Sequence, residues 1–386
     1  MTKISVIIPC YNVEKYVGEC LAGILSQTIA DVEIICVDDK STDKTLKVIQ
    51  DYSLKDKRVI VIAKEKNEGA GPTRNIGLKK ATGEYVCFMD PDDYYPENST
   101  LEKLYQAAVD NDVYISGGNI VGLNPDGSIQ SDIGMVKFNQ NKHLSYKDNP
   151  FCYGYTRFIY NRQFLIKNDL WFPDYLRFED PPFFIKAMAT AGKYYCIQDA
   201  VYVYRMSHKT ITWTERKSEA VLKGINSALD ICRLNGLNDL YLMLVQSIWC
   251  DYHVLIYKEN AGSNKVDDAL RNLFLSIDFN LLPPKWKAPY NKEYNKFITN
   301  DKILAAKFKQ RLTGASLRHK FYYKYKSGEE KRDIYIFGVK ILSYKKRKKT
   351  AANLNFGQQI FSITKSKDKK HKVITILGIK IKLKGE

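Results

Sequence analysis

Lys3-Ile-Ser-Val-Ile-Ile8, closing in Pro9-Cys10-Tyr11-Asn12, and Glu33-Ile-Ile-Cys-Val37, closing in Asp38-Asp39, decide the fold. Both are near-continuous apolar runs. A strand apolar on both sides is buried between two layers, which is the condition of a parallel sheet covered by helices. The stretch between them, 13–27, has helical spacing at Val17, Leu21, Ile24 and Leu25. Working outward, Thr45 to Tyr52 reads as a second helix and Val59 to Ala63 as a third strand. Pro72 suits a first helical position, and the helix it opens runs to Ala81. Tyr85 to Met89 is a fourth strand, Ser99 and Glu102 form a capping box for a helix reaching Val109, and Val113 to Ser116 is a fifth strand. This alternation predicts a doubly wound α/β layer, Rossmann-like, with a mostly parallel sheet and flanking helices.

Residues 120–215 are rich in Tyr, Phe, Pro and Asn, and read as loops and short strands laid over one edge of that sheet. Helical spacing returns in Lys217 to Leu234, Asp239 to Tyr257 and Val266 to Ser276, predicting a small helical subdomain over 216–300 after a catalytic domain of 1–215. The rest, 301–386, is a basic tail. It holds 24 Lys and Arg against 6 Asp and Glu, whereas the first 300 residues are close to neutral. The net charge of +17 is therefore segregated, so it describes an appendage and not a nucleic-acid-binding body. Within the tail, Ile334-Tyr-Ile-Phe-Gly-Val-Lys-Ile341 recurs as Ile374-Thr-Ile-Leu-Gly-Ile-Lys-Ile381. Two readings stand: a paired, solvated basic appendage, or a docking element for an anionic membrane surface through 331–386, apolar residues flanked by lysines gaining from both burial and charge. No nucleic-acid-binding module is recognisable.

The eight cysteines include no CxxC pair and several lie in apolar runs, which predicts reduced core thiols. No run of about 18 apolar residues occurs. Together these predict a cytoplasmic protein, peripheral at the inner membrane if the tail docks there.

Polar residues follow each early strand: Tyr11-Asn12, Asp38-Asp39, then Asn67-Glu-Gly69 with Arg74-Asn-Ile-Gly77, then Asp90-Pro-Asp92-Asp93. Ligands bind at the carboxyl ends of strands in open α/β sheets, so these define one cleft. No GxGxxG follows the first strand and no GxxxxGK[ST] occurs. Three carboxylates within four residues repel one another unless a cation sits among them, and Mg²⁺ or Mn²⁺ held by one or two carboxylates, water and substrate phosphate meets that need. An acidic turn is the plainer alternative. Asp38-Asp39 reads either as a helix N-terminal pair or as an acceptor for the imide N–H of uracil, with Tyr11 stacking on the base.

The ordered set Ile7-Ile-Pro-x-Tyr-Asn12, Val37-Asp-Asp-x-Ser-Thr-Asp43, Asn67-x-Gly with Arg74-Asn-x-Gly77, and Phe88-x-Asp-x-Asp-Asp93 resembles the family 2 glycosyltransferases of bacterial surface-glycan type, which have the A-type nucleotide-sugar fold. The resemblance covers about residues 3 to 212. It implies inverting transfer of a hexose from a nucleotide sugar, usually a UDP-sugar, with Mn²⁺ or Mg²⁺. It also implies that Pro9, Tyr11, Asp39 and Arg74, with Asn12 and Asp38 beside them, line the nucleoside pocket. Asp90 would face the ribose and diphosphate, and Asp92, helped by Asp90, would ligate the metal. Glu179-Asp180, before a helix at Pro182 to Ala191, resembles the family's Glu-Asp element, whose Asp is the general base; a plain helix N-terminal pair is the alternative. Tyr204-Arg205-Met-Ser-His208 resembles the segment closing the donor site, with Arg205 reaching the diphosphate and His208 a further metal ligand. The chain lacks the QxxRW motif of processive synthases, which predicts single addition to a lipopolysaccharide, capsule or other lipid-linked glycan. A nucleotidyltransferase, or a binding module acting through the tail, are the rival functions.

Overall fold

The computed structural model describes residues 2–206, 213–248, 260 and 263–282, and the backbone of six strands between Tyr323 and Leu383. Its centre is a nine-stranded sheet. The first strands and helices alternate: β1 (Ile4–Cys10), α1 (Val17–Leu25), β2 (Val32–Asp38), α2 (Thr45–Lys55), β3 (Val59–Ala63), α3 (Ala70–Lys80), β4 (Tyr85–Phe88), α4 (Thr100–Asp110) and β5 (Ile115–Leu123). There follow β6 (Ile129–Gln130), β7 (Lys142–Ser145), β8 (Phe158–Asn161), α5 (Arg162–Lys167), α6 (Asp180–Ala191) and β9 (Lys193–Arg205). The strand order is β3-β2-β1-β4-β8-β5-β9-β7, with β6 on β5. β1 pairs in parallel with β2 and β4, so their carboxyl ends fall on one side.

Alternation within β1 shows why the run is apolar throughout. Ile4, Val6 and Ile8 pack with Val17, Leu21 and Ile24 of α1 and Leu101 and Leu104 of α4. Ile7 belongs to the opposite core with Leu78 of α3, Phe183 of α6 and Phe88. Gly77 brings α3 against the sheet, since a Cβ there would lie 2.4 Å from Ile7 Cγ2.

The structure corrects several local expectations. Helix α1 starts at Val17 and not Val13: residues 14–16 form a turn ahead of it, and the Val13 N–H donates to Thr45 Oγ1 at 2.7 Å. The capping box does not form: Ser99 Oγ donates to Glu97 and Glu102 accepts from Thr28 Oγ1 at 2.6 Å. The residues placed over the sheet edge supply its interior. β8 inserts antiparallel between β4 and β5, and the 13-residue β9 runs parallel to β5. Four residues, Phe-Ile-Tyr-Asn, are too few to display a period, and only their partners make them a strand.

Helices α7 (Glu215–Leu234), α8 (Asn238–Ser247) and α9 (Asn264–Ser276) share the core of α6 through Val221, Ile225, Leu240, Val245 and Val266. The later part of the helix expected over Asp239 to Tyr257 lies outside the described residues. The seven described cysteines are free and buried. Among the described residues, no helix is long and apolar enough to cross a membrane. The tail forms a second compact unit from Leu312 onward. Its two repeats do not pair with each other. Each folds back on itself, as β11 (Lys331–Ile336) with β12 (Val339–Lys345), and as β14 (Lys372–Ile376) with β15 (Ile379–Leu383). β10 (Tyr323–Tyr325) adds a third strand to the first pair and β13 (Phe361–Lys365) to the second.

Candidate active site

The carboxyl ends of β1, β2 and β4 fall on one side of the sheet, and the loops that follow them meet there. At β1, Pro9 is half-buried and Tyr11 is 46% exposed. Asn12 turns the chain at φ 51°, and its side chain accepts from the Thr42 N–H at 2.8 Å while its own N–H donates to Ser41 Oγ at 3.1 Å. It thus ties the first loop to the second. Asp38 accepts from the Ser41 N–H through Oδ2 at 3.1 Å, and its Oδ1 is buried without a partner among the described residues. Asp39 is an anchor: Lys64 Nζ donates to it at 2.5 Å, and the N–H groups of Glu68 and Gly69 donate at 2.9 and 2.8 Å. The loop after β3 is therefore wrapped on Asp39, and Gly69 supplies the φ of 91° that lets α3 start there.

Arg74, on the first turns of α3, is 5% exposed. Its Nη2 donates to Asp90 Oδ1 at 2.9 Å and its Nη1 to Glu179 Oε1 at 2.8 Å. The guanidinium lies over the rings of Tyr155 and Phe172, 5.0 and 5.2 Å from their centroids, and Tyr155 also donates to Asp90 Oδ1 at 3.1 Å. Burial works against its charge, but Tyr155, Asp90, Glu179 and Asp180 outweigh that and raise its pKa. Arg74 thus joins the end of β4 to the start of α6.

Asp90, Asp92 and Asp93 divide their labour. The Asp90 N–H donates to the Tyr202 hydroxyl at 3.2 Å, and that hydroxyl donates to Asp93 Oδ2 at 2.8 Å. Asp93 Oδ1 accepts from the Arg205 N–H at 2.8 Å. Burial, followed by the charges of Asp90 and Asp92, pushes Asp93 up to about 8, against the hydrogen bonds it accepts. Asp93 thus sits against the negative charges of Asp90 and Asp92, and Asp92, with Asp90 beside it, would be the carboxylate to hold a divalent cation. Among the described residues, no three His, Cys, Asp or Glu side chains converge as a metal cage. His208 lies outside the described residues. Arg205 sends Nε to the Asp92 carbonyl at 2.9 Å and Nη2 to Glu19 Oε2 at 3.0 Å, tying β9 to α1 across the acidic loop.

Asp180 opens α6, two residues earlier than expected, followed by Pro181 and Pro182 at the first helical positions. Burial, and then the neighbouring Glu179, push its carboxyl up to about 7, with Arg74 opposing. Glu179 is committed to Arg74, whereas Asp180 makes no ion pair among the described residues. The structure therefore brings together Arg74, Asp90, Glu179 and Asp180, with Asp92 and Asp93 on the same loop as Asp90. Sequence reasoning missed Tyr155, Phe172, Tyr202 and Lys64. Tyr155 and Phe172 lie in aromatic stretches where no spacing singles them out, and Tyr202 is one of several tyrosines on β9.

The chain is similar to several known proteins. The model of Glycosyl transferase family 2 matches residues 5–167. Glycosyltransferase GlyG of Streptococcus pneumoniae is 30% identical over 248 residues, 61% of this chain and 82% of that protein. The uncharacterised glycosyltransferase EpsJ of Bacillus subtilis is 30% identical over 217 residues, and the match spans 62% of its length. A poly(ribitol-phosphate) beta-glucosyltransferase of Bacillus spizizenii is 32% identical over 254 residues, 63% of this chain but 39% of that longer protein. Among solved structures, residues 1–349 of Staphylococcus aureus TarS with UDP-GlcNAc superpose at a TM-score of 0.65 and 22% identity, covering 86% of this chain and 97% of that one. The shared architecture is the A-type glycosyltransferase fold, and the chain belongs to glycosyl transferase family 2.

Proposed function

We propose that the chain transfers one sugar from a UDP-sugar to a hydroxyl of a surface-glycan acceptor, inverting the anomeric carbon. One observation carries the reading: Asp180 stands at the cleft with no ion pair among the described residues, while Arg74 ties the adjacent Glu179 to Asp90. The acceptor hydroxyl oxygen forms the new bond to the sugar C1 as the C1–O bond to the diphosphate breaks. Its proton passes to the Asp180 carboxylate, and the electron pair leaves with the nucleoside diphosphate. A carboxyl titrating about 7 is basic enough to take that proton near neutrality. Arg74 fixes Asp90, and Tyr11 offers an exposed ring beside the nucleoside end of the cleft. A divalent cation on Asp92, when bound, supplies charge neutralisation for the leaving diphosphate.

The teichoic-acid enzymes among the relatives support a polyol-phosphate or related surface polymer as acceptor, and the UDP and UDP-GlcNAc complexes of TarS support UDP as the nucleotide. The basic tail, with two three-stranded sheets rich in lysine, supports docking at the cytoplasmic face of an anionic membrane. The test is release of UDP from UDP-GlcNAc and UDP-glucose together with mass gain on purified wall polymer. UDP release lost in Asp180→Asn is the expected result. Equal release from wild type and Asp180→Asn would overturn the assignment of the base.

A further inference from the structure

We propose that Gly224, on α7, is a positioning residue for the base: it forms the notch that holds Phe178 in a left-handed backbone conformation and so aims Asp180 into the cleft. This rests on the proposed transfer, but it concerns helix α7, which lies outside the residues matched by the family model.

Phe178 has a φ of 65°, a region that a bulky side chain enters only at a cost of about 1 kcal/mol or more. Something must hold it there. A Cβ placed on Gly224 would lie 2.5 Å from the Phe178 carbonyl oxygen, 2.9 Å from its Cβ and 3.0 Å from its Cδ1. The first of these is a backbone atom and cannot swing aside. Gly224 is buried near the middle of a 20-residue helix, where glycine costs about 1 kcal/mol relative to alanine. The close approach of Phe178 is the reason that cost is borne.

The same loop is gripped from the other side. A Cβ on Gly71 of α3 would lie 2.7 Å from the Pro173 carbonyl oxygen and 3.1 Å from Glu179 Cγ. Between these two glycine notches Phe178 takes its left-handed conformation. Directly after it, Glu179 pairs with Arg74 and Asp180 takes the first position of α6. A single methyl group at 224 must push the Phe178 carbonyl, and with it the peptide plane that leads into Glu179 and the base. The donor pocket at the ends of β1 and β2 is built without α7.

The test compares Gly224→Ala with Leu229→Ala, which removes buried packing five residues further along the same helix. Gly224→Ala is expected to lower kcat at least tenfold with the UDP dissociation constant within twofold of wild type, and Leu229→Ala to lower Tm without that loss. The position of the base is also read without turnover, by NMR titration of the Asp180 carboxyl. The groups facing that carboxyl are Glu179 beside it, Arg74 on α3, Asp90 after β4, Cys152 and Tyr155 ahead of β8, and Tyr160 on it. In Gly224→Ala its midpoint should fall from about 7 toward the ordinary carboxylate range. An unchanged midpoint, or an equal kcat loss in Leu229→Ala, overturns the proposal. If Gly224→Ala does not fold, Phe178→Val tests the loop from the other side, since a β-branched residue resists a φ of 65°, and should give the same kcat loss; retained kcat there also overturns it. Wild-type protein that releases no UDP while its Asp180 titrates near 7 would sink the transfer reading alone, and the NMR comparison would still decide the positioning.

Discussion

Asp180 and Arg74 stand in opposite electrostatic settings, and they should respond in different ways when altered. On the proposed mechanism Asp180→Asn removes the proton acceptor and leaves the shape, so transfer should fall by about 10²–10⁴-fold while UDP affinity stays within threefold. On that mechanism the working form of Asp180 is the ionised one. Its pKa is raised, so kcat/KM should climb with pH and level off above about 7. The same shift has a consequence for stability. The folded state holds a proton that the unfolded chain gives up near the ordinary carboxylate pKa, so the folded protein loses stability as pH rises from there through about 7. Asp180→Asn should therefore melt at a higher temperature than wild type at pH 8, with the difference shrinking toward pH 4. Arg74 is the opposite case. Arg74→Met leaves Asp90 and Glu179 without their partner, and urea unfolding should show a loss of about 3–5 kcal/mol.

At the scale of elements, α3 is positioned by what it lacks. Gly77 lets the helix lie on Ile7, and the extra methyl of Gly77→Ala has nowhere to go against a β-branched side chain of the central strand. Overpacking there should cost about 1–3 kcal/mol, and because Arg74 rides on the same helix, UDP affinity should fall as well. Gly23 on α1 is the contrasting case: a methyl group added there would meet nothing within 4 Å. Gly23→Ala should therefore leave stability unchanged or raise it by up to about 1 kcal/mol. Chemical denaturation of both variants checks the contrast. β9 shows the same logic with hydrogen bonds. Tyr202 and the Arg205 N–H both satisfy Asp93, so a strand far along the chain determines where the acidic loop after β4 sits.

The whole molecule separates into a packed catalytic unit and a basic unit from Leu312 onward. Charge is divided the same way: the first 300 residues are nearly neutral and the last 86 carry the excess. A chain ending at Arg311 should keep UDP binding and its melting temperature within about 2 °C, while losing sedimentation with phosphatidylglycerol vesicles. Binding of the full chain to those vesicles should weaken as salt rises, since screening lengths shrink from about 10 Å at 0.1 M to about 3 Å at 1 M. Equal sedimentation of the full and shortened chains would overturn docking through the tail.

The sequence by itself determined the parallel half of the sheet and the acidic strand end. Runs such as Ile4–Ile8 and Ile34–Val37 must be buried on both faces, and Asp90, Asp92 and Asp93 are neighbours in the chain, so neither depends on distant partners. Glu179 and Asp180 were legible through resemblance, but which of them is held in an ion pair was not. That depends on Arg74, 105 residues earlier, taking Glu179. Only the tertiary structure decided the strand status of β8, the anchoring role of Asp39 and the left-handed turn at Phe178. Each is set by a partner remote in sequence, through a hydrogen bond, an ion pair or a steric notch, and such pairings leave no periodicity in the chain to be read.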